Sequence, residues 1–515
     1  MKRKISRRRA GQLLLGGCAA PLSTAGFSSI TPPRSFAAGV YPDGLPRANP
    51  LAEGIDPRAL MDFFADLQEK KIDLNSFMLA RHGKVVAEAW WWPYRPDLVH
   101  MMHSFTKSVT VSAIGMALDK GAFRLTDKVV SFYPEYLPRT VSENLAAMTV
   151  EDLLTMRTGH DHMTSGGEWR PIKTSWVAEF YKIPVIYKPG TTWVYTSAAT
   201  YMLSAIFSKT VGTSVHEYCK QYLFVPLGIR GEEWDPGPQD ITPGANGLSW
   251  HTADMLKLGL LYQQDGMWNG RQVLPAGWAQ NVHAQHVPGE YGYQWWLGPN
   301  DAYFADGLFC QFSFVFPSSG AVLSLTSAFA SSHGFEAVVW KHFPKLFQPK
   351  ALPTNVKLIA DFRIWCANQR ALPAFQPASS PLAALISGRT FVCERNDDEV
   401  TEIRFDFQPN TCVFTLSDMR GEHHVKVGLN DWLESFTTMT GDKLHHEYQP
   451  EQMRVVAGGM WKDDSTFEMT WLFSESSFRD TVICKFDGKS MTLDRSVNVN
   501  WEDRTSRPTI RGNRR

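Results

Sequence analysis

Between residues 56 and 347 apolar positions switch between helical and alternating spacing. Asp56-Pro57-Arg58-Ala59-Leu60 opens a helix, with Asp56 as N-cap and Pro57 in the first turn. Residues 77–86 read as strand, turn at His82-Gly83, strand. Helices follow over 104–120, with Val109, Ile114 and Met116 apolar and Gly121 as the stop, and over 150–156, 196–211 and 253–262. Residues 304–326 alternate, with Phe312, Phe314 and Phe316 on one face, and turn at Ser318-Ser319-Gly320. A closing helix is predicted over 334–347. Helices segregated from a mainly antiparallel sheet make this part α+β.

The texture then changes. Residues 351–384, Pro- and Ala-rich around Pro373, Pro377 and Pro381, read as a linker. Beyond 385, short apolar runs at 390–392, 411–416, 424–427, 454–457, 467–473 and 481–486 alternate with turn residues. That rhythm predicts a C-terminal all-β domain over 385–505, a sandwich or small barrel. Residues 506–515 are basic and expected to be a disordered tail. A chain of 515 residues exceeds one core, so two folded domains are expected, the first over 45–350.

Residues 1–38 form an export signal and linker. Lys2, Arg3, Lys4, Arg7, Arg8 and Arg9 precede a short apolar run at Leu13-Leu14-Leu15. The twin arginines resemble a Tat-type signal, and Leu15-Gly16-Gly17-Cys18 resembles a lipobox that would lipidate Cys18. An ordinary cleavage near Phe36-Ala37-Ala38 is the alternative. The expected location is exported, periplasmic or membrane-tethered, with Cys18 as the membrane attachment. Net charge is zero, which gives no nucleic-acid footprint. Six cysteines remain after Cys18, and their spacing matches no zinc pattern; Cys393 and Cys412 flank a hairpin and are positioned to pair, with buried free thiols preferred. No metal or cofactor is expected. His160 and His162, His423-His424 and His445-His446 lack ligand spacing, and Trp90-Trp91-Trp92 and Trp295-Trp296 suit a core at least as well as a cleft.

G-x-S-x-G, H-E-x-x-H and a phosphate loop do not occur; S-x-x-K occurs once, as Ser104-Phe105-Thr106-Lys107. On a helix, positions i and i+3 share a face, so hydroxyl and amine can meet. Ser104 at the helix N-terminus gains the dipole and a free backbone N–H. Lys107 needs a depressed pKa to act as a base. Alone, the motif is weak, since a capping serine followed by a surface lysine is common.

Its company is specific. His103 to Ser108, Leu153-Leu154-Thr155-Met156-Arg157-Thr158-Gly159, Tyr187-Lys188-Pro189-Gly190 with Trp193-Val194-Tyr195-Thr196-Ser197, Gly247-Leu248-Ser249, Gly266 to Gly270, Tyr291 to Trp296 and Tyr303 to Gly307 follow in order. Over residues 50–345 this resembles the class C β-lactamase-like serine hydrolases of the penicillin-binding-protein superfamily, among them esterases, D-amino-acid amidases and 6-aminohexanoate-dimer hydrolases. The resemblance implies a β-lactamase/transpeptidase-like domain with an all-helical subdomain. It implies Ser104 as nucleophile, Lys107 as the group that takes its proton or holds Tyr195 reactive, and Tyr195 as general base and proton shuttle. It implies an oxyanion hole from the backbone N–H groups of Ser104 and Leu308, with Ser197, Gly307, Phe309 and Trp193 at the substrate.

Two departures matter. Ser197 stands where β-lactamases carry Asn, and no K-T-G precedes the last strands, where Asp306-Gly307-Leu308-Phe309-Cys310-Gln311 stands instead. The expected partner is therefore a small ester or amide. A β-lactamase or D,D-peptidase is the alternative, and a non-catalytic envelope binding protein on the same fold is the alternative of another class.

Overall fold

The computed structural model describes residues 42–515 except 165, 166, 287, 290, 376, 377, 442, 447, 449, 502 and 503. The export signal, the lipobox and Cys18 lie outside the described residues. Helix α1 (Pro57–Glu69) begins where the Asp56 carboxylate accepts the Arg58 N–H at 2.9 Å. Its Leu60, Phe63, Phe64 and Leu67 fall at helical spacing and are buried. They pack on one face of a sheet of six antiparallel strands: β1 (Leu74–Arg81), β2 (Lys84–Trp90), β3 (Trp296–Leu297), β4 (Tyr303–Gly307), β5 (Gln311–Phe316) and β6 (Ala321–Ser327). Their order is β2-β1-β6-β5-β4-β3.

Both faces are covered, and the two-residue period sorts side chains between two cores. Phe77, Leu79, Phe304, Phe312 and Phe314 join α1 and the helix over Ser332–His342. Met78, Ala80, Tyr303, Ala305 and Val315 join α2 (Thr106–Asp119) and the helical layer that includes α3 (Val150–Leu154), α4 (Ser197–Val211) and α5 (Thr252–Gln263). Helix α2 is buried all round from Thr106 to Ala117 because it runs through that core. At Gly115 a Cβ would lie 2.3 Å from the Trp278 indole, so only glycine fits.

The chain departs from expectation in four places. Residues 351–384 are not a plain linker, because Val356–Ala367 is a helix whose Phe362 and Cys366 are buried behind the sheet. Trp365 packs on Phe64 at 4.7 Å between ring centroids. Residues 506–515 are not a disordered tail, because Ile510–Arg514 is a strand. The closing helix stops at His342, short of Phe347, and the run 304–326 folds back once more at 308–310.

The C-terminal domain is a barrel of ten strands. In chain order these are β7 (Thr390–Cys393), β8 (Glu402–Phe407), β9 (Thr411–Asp418), β10 (Gly421–Leu429), β11 (Leu433–Thr437), β12 (Met453–Trp461), β13 (Thr466–Leu472), β14 (Arg479–Phe486), β15 (Ser490–Val497) and β16 (Ile510–Arg514). Neighbours in sequence pair antiparallel, except that β10 and β11 do not pair and that β16 inserts between β15 and β7. A parallel contact of β10 with β12 closes the ring at Gly428–Gly458. The six described cysteines are free thiols, and Cys412 and Cys484 face the barrel core.

The barrel docks on the first domain through polar and apolar contacts. Glu434 takes Arg95 at 2.7 Å and Arg454 at 2.6 Å. The Met101 N–H donates to the Glu475 carbonyl at 3.0 Å, and Tyr94 Oη donates to the Ser476 carbonyl at 3.0 Å. Met101 and Phe309 are built into the barrel's own core.

Candidate active site

The site starts at a sharp bend. His103 is buried and left-handed, with φ 48°, and Ser104 follows in a short 3₁₀ turn (His103–Phe105) that leads into α2. A non-glycine residue in that region is strained, so packing must hold it. One helical turn on, Lys107 is buried at 1% exposure. Its Nζ donates to Ser104 Oγ at 3.0 Å, Ser197 Oγ at 3.1 Å and the Ala245 carbonyl at 3.1 Å. Those three acceptors use every donor the amine has when protonated. Burial nevertheless dominates and lowers Lys107 from 10.5 to about 7, with Asp306 pulling weakly the other way.

Tyr195 enters from the start of α4. Its hydroxyl shares a hydrogen bond with Ser104, and its ring centroid lies 4.8 Å from Lys107 Nζ. Burial pushes the phenol well up, which keeps it protonated. Its ring stacks on Trp296 at 5.7 Å and meets Tyr291 at 6.1 Å and the exposed Trp193 at 6.3 Å. These four rings form an aromatic wall beside Ser104.

The opposite edge is the end of β4. A Cβ on Gly307 would lie 2.1 Å from the Met102 carbonyl oxygen, so glycine lets β4 press against the turn that carries Ser104. Leu308 follows at that edge. Phe309 and Cys310 are both left-handed, with φ 64° and 69°. The Gln311 side-chain amide holds this turn, its Nε2 lying 3.0–3.1 Å from the Leu308, Phe309 and Ser327 carbonyls and Ser477 Oγ, which share its two N–H donors.

Ser104, Lys107, Tyr195 and Ser197 are thus brought together, with Gly307 and Leu308 across from them and Trp193 at the rim. Ser197 is placed on the lysine. Phe309 is not at the substrate cleft: it is 2% exposed, buried against the barrel core, with Phe478 at 5.6 Å. Sequence reasoning missed His103, Gln311 and Tyr291, and it had no signal for His446, whose ring comes from the barrel to 6.3 Å from that of His103. Of the tryptophans, Trp296 joins the wall while Trp295 is core. Among the described residues no group of three His, Cys, Asp or Glu side chains is placed to hold a metal. His160 bonds Thr158, and His423 lies between Thr438 and Asp418.

Residues 62–341, which carry Ser104, Lys107, Tyr195, Ser197 and Gly307, match the family profile described as Beta-lactamase. The chain belongs to the beta-lactamase family. It is similar to the 6-aminohexanoate-dimer hydrolase of Paenarthrobacter ureafaciens, 23% identical over 284 residues, covering 49% of this chain and 72% of that protein. Protein Rv1367c of Mycobacterium tuberculosis is 25% identical over 233 residues, 35% of this chain and 58% of its own length. Among solved structures, a Bacillus anthracis protein assigned as a 6-aminohexanoate-dimer hydrolase is 18% identical, with a TM-score of 0.51 over 60% of this chain and 89% of that one, which shows the shared fold. Within the beta-lactamase family this chain takes its place in the serine hydrolase superfamily.

Proposed function

We propose that this protein hydrolyses small esters or amides through an acyl-Ser104 intermediate. The observation that carries this reading is the buried Lys107 amine, 3.0 Å from Ser104 Oγ and lowered to about 7. At neutral pH a substantial fraction is unprotonated and can take the serine proton as Oγ attacks the carbonyl carbon. The new C–O bond forms as the carbonyl pair moves to oxygen. Backbone N–H groups of Ser104 and Leu308 are assigned to that oxyanion, a stabilisation whose loss typically lowers rates by about 10²–10³. Tyr195, held as a neutral phenol between Ser104 and the cleft, relays the proton from Lys107 to the leaving group. Water then attacks the acyl carbon by the reverse relay and frees Ser104.

The Paenarthrobacter relative is named a 6-aminohexanoate-dimer hydrolase, and a dimer of an amino acid is joined through an amide, which favours amides as well as esters here. Asp306-Gly307-Leu308-Phe309-Cys310-Gln311, standing where β-lactam-binding relatives carry K-T-G, argues against β-lactams. The Arg-rich start and the Leu15-Gly16-Gly17-Cys18 run support export with a lipid on Cys18; the intact mass of protein from membranes checks it.

A fluorophosphonate probe is expected to label Ser104, and Ser104→Ala is expected to abolish both labelling and p-nitrophenyl acetate turnover. Turnover that survives in the folded variant would eliminate the reading.

A further inference from the structure

We infer that the aromatic wall around Trp193 receives the leaving group, so that the preferred substrates are esters or amides whose alcohol or amine half carries an uncharged aromatic ring. This deepens the acyl-Ser104 reading and rests on it.

The wall and the proton relay are one structure. The Tyr195 hydroxyl shares a hydrogen bond with Ser104. In the proposed reaction that hydroxyl delivers the proton to the departing oxygen or nitrogen, which must come within hydrogen-bond reach of it. Whatever the departing half carries then lies along the rings that continue from Tyr195. Trp193 is the next of these, with its ring centroid 6.3 Å from that of Tyr195. Tyr291 is buried and Trp296 is partly packed into the core, whereas Trp193 is 36% exposed. Met163 adds a second exposed apolar side chain at the same rim, because the Thr164 N–H donates to Thr196 Oγ1 at 3.2 Å and ties that segment to the residue after Tyr195. Large apolar side chains left open beside a reacting group mark a ligand contact.

The chemistry of the wall decides what it takes. None of these side chains carries a charge, so a carboxylate on the departing half finds no counter-ion among them. A cation would seek ring faces, but the Lys107 amine already lies 4.8 Å from the Tyr195 ring centroid, and its protonated form repels a second cation. A neutral aromatic ring gains apolar burial together with the tilted ring contacts that aromatic groups favour. Trp193 already makes such contacts with Tyr291 and Trp296, at interplanar angles of 63° and 69°.

The test compares 2-phenylethyl acetate with 2-cyclohexylethyl acetate in one enzyme preparation. Two methylenes separate each ring from the ester oxygen, so the leaving alcohols are matched in acidity. The cyclohexyl ring has the larger apolar surface, so burial alone favours it, while ring–ring contact favours phenyl. Wild type is expected to favour the phenyl ester by about fivefold in kcat/KM, Trp193→Phe to keep most of that preference, and Trp193→Ala to bring it below about twofold. A wild-type ratio below about twofold, or a ratio unchanged in Trp193→Ala, overturns the inference while leaving the acyl-Ser104 reading intact. So does an equal or greater phenyl preference between ethyl 3-phenylpropanoate and ethyl 3-cyclohexylpropanoate, which would put the wall on the acyl side. Absence of turnover of every ester together with absence of Ser104 labelling defeats that reading itself, and the inference with it. Should Trp193→Ala fail to fold, wild type alone decides: 2-phenylethanol is expected to inhibit at least about threefold better than 2-cyclohexylethanol, and equal inhibition overturns the inference.

Discussion

Lys107 carries opposite consequences for activity and for stability. In the proposed mechanism the neutral amine is the working form, so kcat/KM for a neutral ester is expected to rise with pH through an apparent value near 7. A profile that is flat across that region removes Lys107 as the proton acceptor. For stability, the unfolded chain keeps lysine at its ordinary 10.5 while the folded value is about 7. Between these values the unfolded state binds the extra proton, so this group makes the protein more stable as pH rises. Below about 7 the full penalty of burying the ammonium applies. Lys107→Met removes that penalty. Its Tm relative to wild type is expected to be most favourable near neutrality and below, and the gap to narrow towards pH 10, as thermal unfolding across pH will show. Gly307 is the geometric counterpart. Gly307→Ala places a methyl 2.1 Å from the Met102 carbonyl, so the nucleophile's turn must shift. Displacements of about 1 Å lower rates by roughly a hundredfold, and that loss in kcat with retained folding by circular dichroism is the expected result. These roles differ in how far sequence reveals them. Ser104 and Lys107 are joined by local helical spacing, and Tyr195 by a motif in order. Phe309 and His446 owe their places to a domain contact that no local pattern encodes.

At the scale of elements, alternation and helical spacing locate most of the first domain, because its strands and helices bury apolar faces. What sequence hides is the connection through 308–310. Two left-handed non-glycine residues there break a run that otherwise reads as continuous strand, and Gln311, a residue of no special turn preference, holds them in place. The same limit applies to β16. Arg511, Asn513, Arg514 and Arg515 give it a disordered composition, yet Ile510 is buried at 4% exposure and the backbone pairs on both sides. Tertiary pairing overrides composition where a barrel needs its last strand. Deleting residues 510–515 should therefore leave β7 and β15 with open edges. The expected result is a loss of at least about 2 kcal/mol, from Ile510 alone, with higher-order species in light scattering. A truncated chain as stable and monodisperse as the full one would show that the strand does not close the barrel in solution.

At the scale of the whole molecule, the barrel is a structural half of the site. Met101 and Phe309, one on each side of the nucleophile's turn, are buried in its core, and the Glu475 and Ser477 contacts hold Met101 and Gln311 from the barrel side. Gln311 in turn holds the turn that follows Gly307. A chain of contacts thus runs from the barrel to the edge that faces Ser104. Phe309→Ala is expected to destabilise by about 3–5 kcal/mol, as for other buried aromatics, and to lower kcat as the turn loosens. A chain ending near residue 380 leaves Met101, Leu308 and Phe309 on the surface, an apolar patch beside the cleft. Its expected behaviour is aggregation or loss of turnover, even though residues 62–341 alone span the family match. A soluble truncated chain with wild-type kcat/KM would show instead that the nucleophile's turn holds its shape without the barrel. That outcome would move the barrel's role away from catalysis, since the strained backbone at His103, Phe309 and Cys310 would then be stabilised entirely by the first domain.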